Sequence, residues 1–120
     1  MDKVDKIRFL VRKVIDENST VVSISRKVKV SDGAGGEKWK SASTVSVRGR
    51  VFNREINLYS IIPAGEIITD QAGLLAEWNA DIAEKDIFTY SSVQYVIERV
   101  KTYELNQEIL VKVGLLEVKR

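Results

Sequence analysis

Apolar positions recur every three to four residues over residues 3–17 and every second residue after that, so the change of period divides the chain. Val4, Ile7, Leu10, Val11, Val14 and Ile15 follow the i, i+3, i+4, i+7 spacing of one helical face, with Lys6, Arg8, Arg12 and Lys13 on the others. Asp2 stands at the N-cap position and Asp5 in the first turn, where the helix dipole favours a carboxylate. Asn18-Ser19 supplies the stop. A helix this short is marginal alone in water, so its apolar face must dock, either on the chain's own body or on a neighbouring subunit. Phe9 falls off the stripe, where it widens the apolar face or meets a partner.

From Thr20 the pattern alternates. Val22, Ile24, Val28 and Val30 share one side, and Ser23, Ser25, Lys27 and Lys29 the other. Arg26 interrupts the apolar side, so one end of this strand is expected to project beyond the core. Gly33, Gly35 and Gly36 then predict a turn with a flexible tip at residues 32–37. A short strand at 37–40 completes the hairpin. Residues 43–52 form the next strand, with Val45, Val47 and Val51 inward and Ser46, Arg48 and Arg50 outward. Gly49, on the inward side, marks a bulge or a close backbone approach.

Residues 53–68 lose the alternation and contain the chain's single proline. Ile56, Leu58, Tyr59, Ile61 and Ile62 place much apolar surface in what reads as a long mobile loop. Such a loop either folds over the mouth of the domain or inserts into a partner. Strands follow at 73–79, with Leu74, Ala76 and Trp78 on one side, at 86–90 and 94–100 across a Ser91-Ser92 turn, and at 108–118. The expected fold is mainly β and one domain over residues 1–120. It is a small six- to seven-stranded antiparallel β-barrel or sandwich (20–118) with one N-terminal amphipathic α-helix (3–17) and a long mobile loop.

Composition narrows the chemistry. The chain has no cysteine and no histidine, which removes disulfides, thiol nucleophiles, imidazole bases and Cys/His zinc sites. Asp81, Glu84 and Asp86 cluster, but acids in a turn read more readily as solvated than as a catalytic pair or a magnesium site. Asp32-Gly-Ala-Gly-Gly36 lacks a following Lys-Ser/Thr and opens no helix, so it is not a phosphate-binding loop. No catalytic, cofactor or metal residue is assigned, and the chain is not expected to be an enzyme. The start of the chain is charged and mixed in sign, and no apolar run approaches the ~20 residues that span a bilayer, so a cytoplasmic protein without a membrane partner is expected. A net charge of +2 is small. Even so, Arg26, Lys27, Lys29, Arg48, Arg50 and Arg54 on neighbouring strands, with Trp39, Phe52 and Tyr59 to stack on bases, would suit an oligonucleotide-binding (OB-like) barrel that holds single-stranded nucleic acid. The competing reading is that these cations solvate an outer sheet face and protect its edges.

Two segments bring a family into view. Asp32-Gly-Ala-Gly-Gly36 with Trp39, then the valine-rich 45–51 and the unpatterned 53–68, form the first. The second is residues 81–100, where Asp81, Asp86, Ile87, Tyr90, Tyr95, Ile97 and Val100 fall in register. Over roughly the last 100 residues the chain resembles the small head-completion (head–tail joining) proteins of tailed bacteriophages and prophages. It departs from them at Lys85, where that family often has glycine, and at Ser91-Ser92, which replaces an Asn-Gly type turn. The resemblance implies a structural protein of the virion neck, assembled in the host cytoplasm. It implies a monomer when free and a ring, a dodecamer in the virion, that joins portal or adaptor to tail proteins and meets the packaged DNA in transit. It also implies that Asp32, Gly33, Gly35, Gly36 and Trp39 at the hairpin tip, and Ile56, Leu58, Tyr59, Ile61 and Ile62 in the loop, make the subunit contacts. Head closure, connector and tail terminator are all roles compatible with this pattern.

Overall fold

The Asp2 carboxylate accepts the Asp5 backbone N–H at 2.8 Å and starts the helix α1, Lys3–Asp16, at the expected cap. In this computed structural model residues 2–31, 33, 35–57 and 66–119 are described, with the backbone alone described at 27–31, 37–43, 54–57 and 66–71. Six strands follow the helix: β1 (Thr20–Ser31), β2 (Glu37–Asn57), β3 (Glu66–Glu77), β4 (Ile87–Tyr90), β5 (Val93–Leu105) and β6 (Glu108–Val118). They close into an antiparallel barrel in the order β1-β2-β3-β6-β5-β4. The mainly β barrel with one N-terminal helix is thus the fold the alternation predicted.

Two cores divide the apolar residues. Val22, Ile24, Val47, Leu74, Ala76, Phe88, Ile97 and Leu116 fill the barrel, and Ile82 from the β3–β4 connection joins them. On the outside, Val4, Ile7, Val11 and Ile15 of α1 pack on Phe52, Leu75, Val111, Val113 and Leu115. The helix therefore docks on its own domain. Each of these helix side chains contributes about 1.5–3 kcal/mol by leaving water. Strands with a core on both faces carry doubled apolar residues, which explains Leu74-Leu75 and Leu115-Leu116. The barrel's outward arginines anchor the end of the helix. Arg50 Nη1 donates to the Val14 carbonyl at 3.0 Å and to Glu17 at 3.2 Å, and Arg48 pairs with Asp16.

Several boundaries differ from the sequence reading. The strands expected at 37–40 and 43–52 are one strand of 21 residues, β2. Residues 53–57 and 66–68 of the expected 53–68 loop are strand instead, because β2 runs to Asn57 and β3 begins at Glu66, with Ile56 directly opposite Ile67, and residues 58–65 lie outside the described residues. Opposed β-branched residues favour such pairing even where the alternation of faces has lapsed. Strand β5 continues to Leu105 and turns at Asn106-Gln107, where φ is 53° and 67°. Trp78 lies past the end of β3, 37% exposed, with the Arg8 guanidinium 3.9 Å from its ring. Phe9 is exposed, with the Lys13 ammonium 4.9 Å from its ring.

Ser91 and Ser92 have φ of 49° and 64°, and Lys85 has φ of 73°. All three hold the left-handed conformation that Asn and Gly adopt at lower cost. Replacing Ser91-Ser92 by Asn-Gly should stabilise the protein by about 1 kcal/mol, or roughly 3–6 °C in Tm, measured by thermal unfolding. A second expectation concerns Tyr103, half-buried against the helix-side core, where burial raises the phenol above its ordinary value of 10.0. A folded-state value above the unfolded one gives stability that is complete below the unfolded pKa and is lost as pH rises through the folded one. Urea unfolding between about pH 9 and about pH 11 should show this decline, and Tyr103→Phe should flatten it.

Candidate interaction site

Strand β2 is longer than the barrel, and its ends set the geometry. At its start it pairs with β1 through residues 27–31 and 37–41, past the point where β1 meets β4. Among the described residues that meeting is one bridge, Ser25 opposite Ile87, so residues 27–31 have a ladder partner only on the β2 side. At its other end β2 pairs with β3 through 55–57 and 66–68, past the last β3–β6 pair, Gly73 opposite Leu115. Two hairpin extensions therefore leave opposite ends of the barrel, and the molecule measures 54 × 31 × 23 Å.

Among the described residues, the expected contact residues divide between these extensions and are not brought together. Gly33 and Gly35 have φ of 81° and 87°, with open space around the position a Cβ would take. Gly36 is exposed beside them. Trp39 stands opposite Lys29 on the first extension, and Ile56 opposite Ile67 on the second. Asp32, Leu58, Tyr59, Ile61 and Ile62 lie outside the described residues.

Where β3 parts from β6, at the base of the second extension, the barrel wall opens into a cleft of about 680 Å³. Among the described residues, Ala72, Tyr95, Leu116 and Val118 give it an apolar floor, and Asn53, Glu98 and Glu117 supply its polar groups. Val118 is 46% exposed. The sequence reading missed this cleft. Its one signal is that β3 carries residues beyond its last β6 partner, which only the register reveals.

The opposite end is covered in part among the described residues. The connection between β3 and β4 crosses it, pinned by Ile82 from inside and by the Lys112 ammonium on the Ala80 carbonyl at 3.0 Å. Arg26 Nε and Nη2 both donate to the Asp86 carboxylate at 2.9 Å, and Nη2 also meets Asp81 at 3.0 Å. Asp86 is 1% exposed and accepts the Ala83 N–H at 2.8 Å as well. The bonds to Asp86, then those to Asp81, hold the Arg26 guanidinium above its ordinary pKa against the effect of burial. The expectation that all three acids of this turn are solvated is therefore wrong for Asp86. Arg26, the residue that broke the apolar pattern, is its partner. The two flank the closing bridge, one residue past Ser25 and one before Ile87.

Compared with known proteins, the chain matches no family model and no curated protein. The cations expected to form a nucleic-acid stripe are placed otherwise. Arg26, Arg48 and Arg50 each pair with a carboxylate, and Phe52 is buried in the helix-side core with its ring against Gly73. Lys27, Lys29 and Arg54 stand on the two extensions.

Proposed function

We propose that this chain is a structural neck protein of a tailed phage or prophage, which joins or closes the portal and tail by forming a ring through its projecting strands. The observation that supports this reading is the pair of hairpin extensions leaving opposite ends of a small closed barrel. A strand with a ladder partner on one side only offers its remaining N–H and C=O groups to another chain. A monomer that keeps such edges gains by adding a neighbour's strand to them. The early glycines suit a tip that settles only on contact, since glycine loses more freedom on ordering than any other residue. Single-strand binding is the weaker reading, because Arg26, Arg48 and Arg50 are engaged by carboxylates and Phe52 is in the core.

The reading is tested by deleting the gene from its phage or prophage. The expected result is DNA-filled heads and free tails that accumulate separately, with joining restored when purified protein is added to the heads. An undiminished yield of infectious particles from the deletion would refute it.

A further inference from the structure

The two ends of the barrel differ in charge as well as shape. The first extension carries Lys27, Lys29, Lys38 and Lys40 against Glu37. At the other end the second extension carries Glu55, Glu66 and Asp70 against Arg54. The cleft at its base adds Glu98, at the bulge between Ile97 and Arg99, and the exposed Glu117. Both halves of a complementary pair are thus built into one chain, and the strand β2 that links them keeps them apart. An end cannot meet its complement within the same molecule when the two leave the barrel in opposite directions.

We infer that the acidic cleft of one copy takes the basic β1–β2 extension of a second copy, in a head-to-tail contact. The occupant fits the cleft chemically. Val28 and Val30 alternate with the lysines of the extension, and the cleft sets Leu116, Tyr95 and Val118 beside its carboxylates. The charges steer and orient the encounter, while the apolar floor supplies the area removed from water. A contact between different surfaces repeats in one direction. It closes into a ring if the rotation per subunit divides a full turn, and otherwise grows as a filament. This inference rests on the reading of the extensions as contact strands and adds which surface receives which.

Charge reversal tests it. Lys27→Glu with Lys29→Glu reverses the extension, and Glu98→Lys with Glu117→Lys reverses the cleft. The wild-type chain should self-associate in sedimentation at low salt, and about 0.5 M salt should weaken the association. Each reversed pair alone should weaken it by on the order of tenfold or more, since attraction becomes repulsion. Mixing the two variants, or combining all the substitutions in one chain, should restore it to within about threefold of wild type. That rescue also shows that the variants fold. A wild type that stays monomeric up to its solubility limit overturns the inference, as does a combined variant no better than its parents. Both outcomes are separate from the deletion experiment. A protein that joins heads to tails but ignores the charge swap keeps the neck reading and loses this contact. One that associates as expected while its deletion leaves infectivity intact does the reverse.

Discussion

Arg26→Met lowers the free energy of unfolding by about 3 kcal/mol, as read from urea titration. Removing one partner of a buried ion pair typically costs about 3–5 kcal/mol, because the other charge stays behind without compensation. Here the stranded group is Asp86, whose side chain is 1% exposed, left with only the Ala83 N–H. The lower end of the range applies because the Arg26 side chain is 26% exposed, so water reaches part of the space it leaves. The converse deletion costs less. Asp86→Leu leaves Arg26 with Asp81 and solvent, at about 1–2 kcal/mol, most of it the unpaired Ala83 N–H. The double variant Arg26→Met/Asp86→Leu should therefore be more stable than Arg26→Met alone. Position makes the pair matter beyond its own energy. With Ser25–Ile87 as the closing bridge among the described residues, the guanidinium and carboxylate hold the β1–β4 seam from the next position along each strand. Amide exchange at Ser25 and Ile87 should quicken in Arg26→Met and slow again in the double variant. Equal stability of the single and double variants would mean that Asp86 is not stranded by loss of its partner.

Much of this architecture was legible in the sequence because period and burial coincide. The helix, its Asp2 cap and its buried face at Val4, Ile7, Val11 and Ile15 follow from spacing alone. So do the inward valines of β2 and the Ser91-Ser92 turn. The failures share a cause, which is that a residue's role depended on a partner distant in sequence. Asp86 reads as one more acid in a turn until Arg26, sixty residues earlier, is placed beside it. Phe52 reads as a spare aromatic until Gly73 on the facing strand leaves room for its ring and α1 covers it. The extension of β2 and β3 past the barrel depends on which strands lack a second neighbour, and alternation within a strand carries no record of that. Of the contact surface, the glycine tip was legible because positive φ has a residue signature. The cleft was not, because an opening between strands is made by missing pairs rather than by a motif.

Gly49→Ala costs about 3 kcal/mol, the upper part of the range for overpacking a core. The sequence marked Gly49 as a place of close backbone approach, and the structure gives the distances. A Cβ there would lie 2.7 Å from the Leu75 carbonyl oxygen and 2.9 Å from Leu74 Cδ1. The first of these neighbours is backbone. Gly49 pairs with Thr20 on β1 and with Ala76 on β3, so β2 cannot retreat from Leu75 without straining the ladders on both sides. Gly73 offers a graded comparison. Its Cβ would fall 2.4 Å from Phe52 Cζ, a shorter distance, but the obstacle is the far end of a side chain that can turn, at the expense of the helix-side core. Gly114 provides the control, since its nearest neighbour would be Ile97 Cγ2 at 3.4 Å. There the lower entropy of an unfolded chain with alanine offsets any tightness, and the change should fall within about 0.5 kcal/mol of neutral. Thermal and urea unfolding of the three variants should rank Gly49→Ala as most destabilised, Gly73→Ala next and Gly114→Ala last. The order tests whether the obstacle's freedom to move, rather than its distance, governs the cost. If Gly73→Ala proved worse than Gly49→Ala, distance alone would rule, and the β1–β2–β3 junction would be softer than its two ladders imply.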